Sequence, residues 1–203
     1  MKPDLRLLGV TSVAVLLGIA TSLAASASTL TANNAPEVRA MDIDAFWKII
    51  DGVRARAGND PDARIRFLKI EMARHGIDEI QAFQRQYDRQ IVASYRWDLW
   101  GAAYVMNGGC SDDGFRYFRD WLISEGRKTF EAAMKSPESL ADLPKVELAE
   151  NELFGYVAMD VFAAKGGGEI DRDMSTEGAE PQGKSWKEDE LPKLFPRLSK
   201  KYS

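Results

Sequence analysis

The chain of 203 residues is 45% hydrophobic and 29% charged, a composition that excludes a mainly disordered protein. Its net charge of -4 at pH 7 makes nucleic acid an unexpected partner, because nucleic-acid-binding surfaces are strongly basic. A single cysteine excludes an internal disulfide and any metal site built from several cysteines.

The start of the chain differs in kind from the remainder. Lys2 and Arg6 precede an uncharged run over residues 7–25, and the small residues 25–27 form a cleavage pattern. A basic start, an apolar run and a small-residue site in this order are typical of a secretory signal peptide. We therefore predict a signal peptide over residues 1–27, which would direct the protein to the cell envelope or outside the cell.

Two alternatives to a cleaved signal peptide stay open. The uncharged run is just long enough to span a bilayer, so it could remain as an anchor and would then be the protein's contact with a membrane. Met41 begins a sequence typical of the start of a cytoplasmic protein, which favours a cytoplasmic location instead. In every version residues 28–40 are predicted to be a flexible linker and residues 41–203 one α-helical domain.

Capping residues and apolar residues at helical spacing predict the elements of the domain in chain order. Each predicted helix begins close to a residue that favours a helix start or at the first residue of an apolar pattern. These starting positions are Asp42 or Asp44, Asp60, Asp78, Ser111, Thr129, Lys145 and Ser185. The resulting fold class is all-α, an irregular bundle of six or seven helices in a single domain, with no alternating strand pattern.

The third predicted helix is the longest and covers residues 78–106, beginning with a capping box of Asp78 and Gln81. Residues 107–109 then end it, and the following helix is expected to return beside it as the central antiparallel pair. The polar residues 169–182 have no helical pattern and are interpreted as a mobile acidic loop.

Two stretches of the chain carry a specific pattern. Residues 95–104 read Tyr-Arg-Trp-Asp-Leu-Trp-Gly-Ala-Ala-Tyr, and residues 107–115 read Asn-Gly-Gly-Cys-Ser-Asp-Asp-Gly-Phe. Together with residues 46–47 and 189–192, they resemble domain-of-unknown-function family 4240, an uncharacterised bacterial family. The resemblance covers about residues 41–200 and implies a fold without an established activity.

Polar residues around the turn at residues 107–113 are candidates for a ligand site or pocket. They are Arg96, Asp98, Asn107, Cys110, Asp112, Asp113 and Arg119. The oxygen ligands of the aspartates and the asparagine would suit Mg²⁺ or Ca²⁺, but their spacing matches no metal loop, so no metal or cofactor is assigned. In the simpler interpretation, Asp112 or Asp113 caps a helix. Asp98 then pairs with Arg96 or Arg119.

Cys110 and His75 are the candidates for a nucleophile and a base. Cys110 lies at a predicted helix N-terminus, which favours a thiolate, whereas the aspartates that follow oppose its ionisation. His75, the only histidine, lies near the far end of the predicted long helix, and about 20 helical residues span roughly 30 Å. We therefore expect Cys110 to pack within the turn and His75 to interact with the end of its helix.

Aromatic residues form a stripe at helical spacing, with Trp97, Trp100 and Tyr104 on one face, and are interpreted as core rather than as a ligand-gripping surface. Two functional hypotheses follow. The first is a non-catalytic interaction or regulatory domain, with a protein as the expected partner. The second is an enzyme, or a protein that binds a small molecule or metal, with a polar pocket at the 107–113 turn.

Overall fold

Helix-start and helix-stop residues set the elements of the computed structural model, which describes residues 40–175 and 177–203. Within these residues the protein has nine α-helices, two 3-10 helices and no strand, so the all-α class is confirmed. The α-helices are α1 (Ile43–Ala57), α2 (Pro61–Met72), α3 (Ile77–Ala93), α4 (Trp97–Asn107), α5 (Asp112–Ser124), α6 (Arg127–Lys135), α7 (Glu152–Ala164), α8 (Leu191–Leu194) and α9 (Pro196–Tyr202). The 3-10 helices are Pro137–Asp142 and Glu188–Glu190.

The predicted signal peptide and almost all of the predicted linker lie outside the described residues. The cleaved, anchored and cytoplasmic alternatives therefore stay predictions. Within the part of the chain that the structure describes, no helix combines the length and the apolar character needed to cross a membrane.

Local chemistry sets the first boundaries as predicted. Gly58 ends α1 with a φ of 62°, which favours glycine, and its N–H donates to the carbonyl of Arg54. The Asp60 carboxylate then accepts the N–H of Ala63 at 3.0 Å, and Pro61 occupies the first position of α2.

The start of α3 differs from its prediction. Gly76 is the N-cap, and the Glu79 carboxylate accepts the Gly76 N–H at 2.9 Å, so the predicted capping box of Asp78 and Gln81 is wrong. Gln81 is instead buried, and its side-chain amide forms two hydrogen bonds with the backbone of Asp171. The helix therefore begins earlier than the sequence pattern indicates, and Gln81 is available for a distant contact.

The predicted long helix over residues 78–106 is two helices, α3 and α4. Ser94 lies at the break, where its hydroxyl donates to the carbonyls of Gln90 and Ile91 at 2.7 and 3.0 Å. A hydroxyl that bonds these carbonyls competes with the helical backbone pattern and favours a change of direction.

The backbone after the break pairs with a distant residue. The Tyr95 carbonyl accepts the N–H of Gln182 at 2.9 Å, and the Trp97 N–H donates to the Gln182 carbonyl at 3.0 Å. This isolated parallel bridge replaces two bonds that a continuous helix would have made. The segment of residues 169–175 and 177–182, called the strap below, is thereby tied to the bundle. Its described residues contain no helix, as expected, and its mobility stays a prediction.

The helix α7 lies among three other helices, with contacts to α2, α3 and α5. Its buried residues are Phe154, Gly155, Val157, Ala158, Val161 and Phe162. A Cβ at Gly155 would come within 2.6 Å of the Asp120 carboxylate, so glycine permits the close approach of α7 to α5. The helices α3 and α5 touch each other directly, but α7 contacts both of them and α2 as well, so α7 shares the centre that was predicted for one antiparallel pair.

The helix predicted from Lys145 begins only at Glu152, and Leu148, expected in the core, is 55% exposed. The backbone N–H groups of the residues before Glu152 explain why the helix begins later than predicted. The Ala149 N–H donates to the Asn107 side chain at 2.9 Å, and the Asn151 N–H donates to the Tyr117 carbonyl at 3.0 Å. These donors hold the segment against α4 and α5 instead of forming a helical turn.

The C-terminal segment packs closely on α4 at Gly101. A Cβ at this position would lie 2.8 Å from the Phe195 ring, 3.0 Å from the Trp186 indole nitrogen and 3.1 Å from Leu191. The small residue at position 101 therefore permits a close approach of the segment around residues 186–195.

Gly101→Ala is expected to lower the free energy of unfolding by about 1–3 kcal/mol, because the added methyl overpacks the contact with the C-terminal segment. Gly52→Ala is the matched control, since a Cβ at this position in α1 meets nothing within 4 Å. The control is expected to raise stability by up to about 1 kcal/mol through helix propensity. Urea denaturation of both variants checks the pair, and equal effects would contradict the packing.

Candidate functional site

An open cleft of about 740 Å³ lies beside the start of α4 and is called the C-terminal cleft. The start of α4, the end of the strap and the region of α8 form its walls. Its charged lining residues are Arg96, Asp98, Lys184, Glu190 and Lys193, and its apolar ones are Trp186, Leu194 and Phe195. Leu194 is 52% exposed and both lysines are exposed, so the cleft faces solvent along much of its length.

The two carboxylates of the cleft are already bonded. Arg96 pairs with Asp98 through two bonds, Nε to Oδ1 at 3.0 Å and Nη2 to Oδ2 at 2.5 Å, so the predicted pairing of these residues is confirmed. The Glu190 carboxylate accepts the backbone N–H of Lys187 at 3.0 Å. Within the described residues, Lys184 and Lys193 form no ion pair, and with Glu190 still negatively charged the lining of the cleft has a small excess of positive charge.

The predicted aromatic stripe lies under the same cleft. The Trp97 and Trp100 rings stack with their centroids 5.3 Å apart, and the Trp186 indole donates to the Trp97 carbonyl at 2.7 Å. Tyr104 meets the edge of Trp186 with a centroid distance of 5.3 Å. These partly buried rings join α4 to the C-terminal segment, and Trp186 also lines the cleft.

Asp98 and Asn107 lie at opposite ends of α4. They are nine residues apart, which corresponds to about 13 Å along a helix axis. The expectation that both reach the 107–113 turn is therefore wrong. Among the described residues, no group of three or more histidine, cysteine, aspartate or glutamate side chains is placed to hold a metal ion.

Asn107 and Cys110 face Glu150 rather than a cleft. The Asn107 amide nitrogen lies 3.4 Å from the Glu150 carboxylate, while its oxygen accepts the Ala149 N–H. The Trp100 indole donates to the Cys110 carbonyl at 3.0 Å. The bonds of Asn107 connect the turn to the segment before α7, and the bond from Trp100 ties Cys110 to α4, so both residues have structural roles in the turn.

The environment of the Cys110 thiol disfavours the thiolate. Burial, followed by the negative charge of Glu150, raises the pKa of Cys110 to about 12. Burial also raises the pKa of the Glu150 carboxyl group, with a smaller contribution from Glu152. A protonated thiol is a poor nucleophile and a poor metal ligand, in agreement with the expected packing role of this cysteine.

Ser111, rather than Asp112 or Asp113, caps α5. Its hydroxyl accepts the N–H of Gly114 at 3.1 Å, so the helix start predicted at Ser111 is confirmed and the alternative of an aspartate cap is wrong. The serine has extended backbone and precedes the helix, whereas both aspartates already belong to its first turn. Their exposed carboxylates interact favourably with the positive end of the helix dipole.

Arg119 does not pair with Asp98, although it was one of the two partners expected for that residue. It is buried, and its Nη1 donates to the Ile91 carbonyl at 3.0 Å and to the Glu177 carboxylate of the strap. Burial lowers the pKa of Arg119, and its bond to Glu177 opposes this effect. A guanidinium remains charged in this setting, so Glu177 is its counter-ion.

His75 interacts with two glutamates at the helix ends. Its Nε2 lies 3.8 Å from Glu71 and its Nδ1 lies 3.5 Å from Glu79. Its proximity to acidic side chains near the junction of α2 and α3 agrees with the expected structural role. Cys110 follows the opposite end of the α3–α4 pair, and the structure shows no contact between this thiol and the imidazole.

Sequence reasoning missed the buried polar residues of α3 and α5. Asp88 is completely buried and accepts bonds from Gln84 and Arg172, at 2.8 Å in each case, and from the Asp173 N–H at 2.9 Å. Gln81, Gln84 and Asp88 follow one another at spacings of three and four, so a polar stripe beside the apolar face was visible in the sequence.

Asp120 is the second buried carboxylate. It accepts the hydroxyl of Tyr87 at 2.7 Å and the Nε–H of Arg116 at 3.3 Å. Burial raises the pKa of Asp120, although Arg116 and Tyr87 oppose the change. This group lies inside the bundle and fixes α3 against α5.

A second cleft of about 640 Å³ lies between the α1–α2 connection and residues 143–150. The arginines in its lining already form ion pairs and hydrogen bonds inside the protein. Arg54 and Arg64 pair with the two oxygens of Glu125 at 3.2 and 2.5 Å, and both donate to the Gly58 carbonyl. This cleft therefore presents less available positive charge than the C-terminal cleft.

Ser111→Ala is expected to lower the free energy of unfolding by about 1 kcal/mol, because the variant lacks the hydroxyl that caps α5. Asp112→Ala should have a smaller effect, since the aspartate contributes through the helix dipole alone. Thermal or urea denaturation of the two variants measures the difference. A larger loss for Asp112→Ala would contradict the assignment of the cap.

Iodoacetamide is expected to alkylate Cys110 in the folded protein at pH 8 at least about 10-fold more slowly than in the urea-unfolded chain. The raised pKa of the thiol is the reason, because little thiolate exists at this pH. Glu150→Gln should lower the pKa and accelerate alkylation of the folded protein. Equal rates for folded and unfolded wild-type chains would contradict this environment.

Comparison with known proteins adds a family without an assigned activity. Residues 41–164 match the model of the family described as "Protein of unknown function (DUF4240)". Neither the curated proteins nor the solved structures contain a match to the chain. The matched residues make up more than half of the chain and include α1 to α7, so the protein belongs to the DUF4240 family.

Proposed function

We propose that the protein is a non-catalytic interaction domain and that its C-terminal cleft binds a short acidic segment of a partner protein. The observation that carries this proposal is the combination of two lysines without ion-pair partners in the described residues and apolar side chains in one open cleft. Its volume of about 740 Å³ is within the range of sites that bind small ligands or a few peptide residues.

The charges of the cleft indicate the chemistry of the bound segment. Asp98 is neutralised by Arg96, and Lys184 and Lys193 then outnumber the one remaining carboxylate, Glu190, so the cleft attracts anionic groups. Carboxylate side chains of a partner would approach these lysines from solvent without a large desolvation cost, because both lysines are exposed.

The apolar residues favour a peptide with a hydrophobic side chain beside its carboxylates. Leu194 exposes about half of its surface, and Trp186 presents part of its ring next to it. Covering these side chains would remove apolar surface from water, the main favourable contribution to such contacts. An open cleft with apolar and cationic residues side by side suits an extended segment better than an enclosed metabolite.

The reactive side chains support a binding role over a catalytic one. The Cys110 thiol has a raised pKa and lies beside Glu150, and His75 lies beside two glutamates. Neither residue lines the C-terminal cleft. The proposed partner contact therefore uses none of the groups first considered for nucleophilic chemistry.

A fluorescent hexapeptide of alternating glutamate and leucine tests the proposal, with a lysine–leucine hexapeptide as the probe of opposite charge. Wild-type protein is expected to bind the acidic peptide saturably and to bind the basic one at least about 10-fold more weakly. The double variant Lys184→Glu and Lys193→Glu should lose at least about 10-fold in affinity, because it replaces attraction by repulsion. Fluorescence anisotropy measures both effects.

The matched control is Lys69→Glu with Lys128→Glu, which makes the same change in net charge on α2 and α6, away from the lining residues. This control is expected to bind the acidic peptide like wild type. Equal affinity of the two peptides, or equal losses in the two double variants, would overturn the proposal. Displacement of the peptide by millimolar free glutarate alone would assign the cleft to a small anion and also overturn it.

A further inference from the structure

The guanidinium of Arg119 is almost enclosed by protein and only partly bonded. Its side chain is 5% exposed, and within the described residues both of its hydrogen bonds start from Nη1. Its Nε is buried without a hydrogen-bond partner there. The edge of an arginine that carries Nε and one Nη nitrogen can pair with a carboxylate or a phosphate through two parallel bonds.

Aromatic rings form the surroundings of this guanidinium. Its Cζ lies 4.8 Å from the centre of the Tyr95 ring and 5.0 Å from the centre of the Phe115 ring. Such contacts stabilise the cation and hold its plane in place without providing a counter-charge. The side chain is thus positioned before any anion reaches it.

The counter-ion of Arg119 comes from the strap. Glu177 is the one acidic side chain that bonds Arg119 within the described residues, and its side chain is 23% exposed, so it lies nearer to solvent than the arginine does. An uncompensated buried guanidinium is strongly unfavourable, so an anion must replace this carboxylate whenever it leaves.

The strap is also held by bonds that do not involve Glu177. Arg172 pairs with Asp88 on one side, and Gln182 pairs with the backbone of Tyr95 on the other. Departure of Glu177 therefore leaves both attachments of the strap in place. The geometry allows exchange of a counter-ion without detachment of the whole segment.

We propose that Arg119 is the centre of a binding site for a small ligand with a carboxylate or phosphate group, and that Glu177 occupies this site as an internal counter-ion. The site is separate from the C-terminal cleft, whose lining residues do not include Arg119 or Glu177. Its ligand would take the place of the Glu177 carboxylate on Nη1.

Glu177→Ala tests this site because it removes the internal carboxylate and leaves space beside Arg119. The variant is expected to have a lower melting temperature than wild type, since the buried cation is left without its counter-ion. Inorganic phosphate at about 20 mM should restore several degrees of that loss by binding the folded state. Acetate at equal ionic strength tests the carboxylate form of the ligand.

Glu180→Ala is the matched control, because Glu180 is an exposed residue of the same strap. The control and wild type report the general effect of phosphate on stability, and sodium chloride at equal ionic strength reports screening. The proposal expects phosphate or acetate to raise the melting temperature of Glu177→Ala by several degrees more than that of either reference. Equal increases in all three proteins would overturn it.

Glu177→Gln keeps the test decisive if the alanine variant does not fold. It removes the charge while retaining the size of the side chain, so its response to phosphate is expected to be smaller but in the same direction. Isothermal titration with phosphate then provides a direct measurement. Failure of both anions to bind Glu177→Gln more tightly than Glu180→Ala would overturn the site.

Discussion

The backbone pairing of Gln182 with Tyr95 and Trp97 is the constraint on which the functional surfaces depend. A helix break inside a packed bundle leaves peptide groups without helical partners, and buried groups of this kind are costly unless they are bonded. Gln182 supplies the missing acceptor and donor in one residue. It thereby allows α4 to take a new direction and fixes the end of the strap beside Arg96, so that both residues line the C-terminal cleft.

A second constraint is the burial of charged side chains inside the helical bundle. The helix α3 buries Asp88 completely, and α5 buries Arg119, yet neither residue finds its counter-ion on another long helix. Arg172 and Glu177, both from the strap, provide those charges. The polar composition of this segment is therefore required by the helices it covers, because an apolar strap would leave two buried charges uncompensated.

The sequence was sufficient where structure depends on neighbouring residues. The cap at Asp60 followed from local chemistry, and Arg96 was one of the two partners expected for Asp98. The break after Ser94 was not predicted, since no glycine or proline marks it and its bonding partner lies far along the chain.

The same distinction between features set by neighbouring residues and contacts between distant residues applies to the candidate site. Residues selected around one turn were separated in space because a helix of 11 residues lies between the two ends of the motif. The counter-ion of Arg119 was missed because Glu177 belongs to a stretch without periodicity, where position in the fold cannot be inferred from spacing. By contrast, the burial of Asp88 had a visible signal in the polar stripe of α3.

Residues inside the family match and residues after it both contribute to these sites. The matched residues 41–164 provide Arg96, Asp88 and Arg119, whereas the strap and the walls formed by Lys184 and Lys193 follow that range. The same helical bundle could therefore carry different selectivity if the segment after α7 changed its charges. In the proposals made above, recognition would depend on how the C-terminal residues complete a core that already positions two arginines, one paired within the cleft and one whose counter-ion comes from the strap.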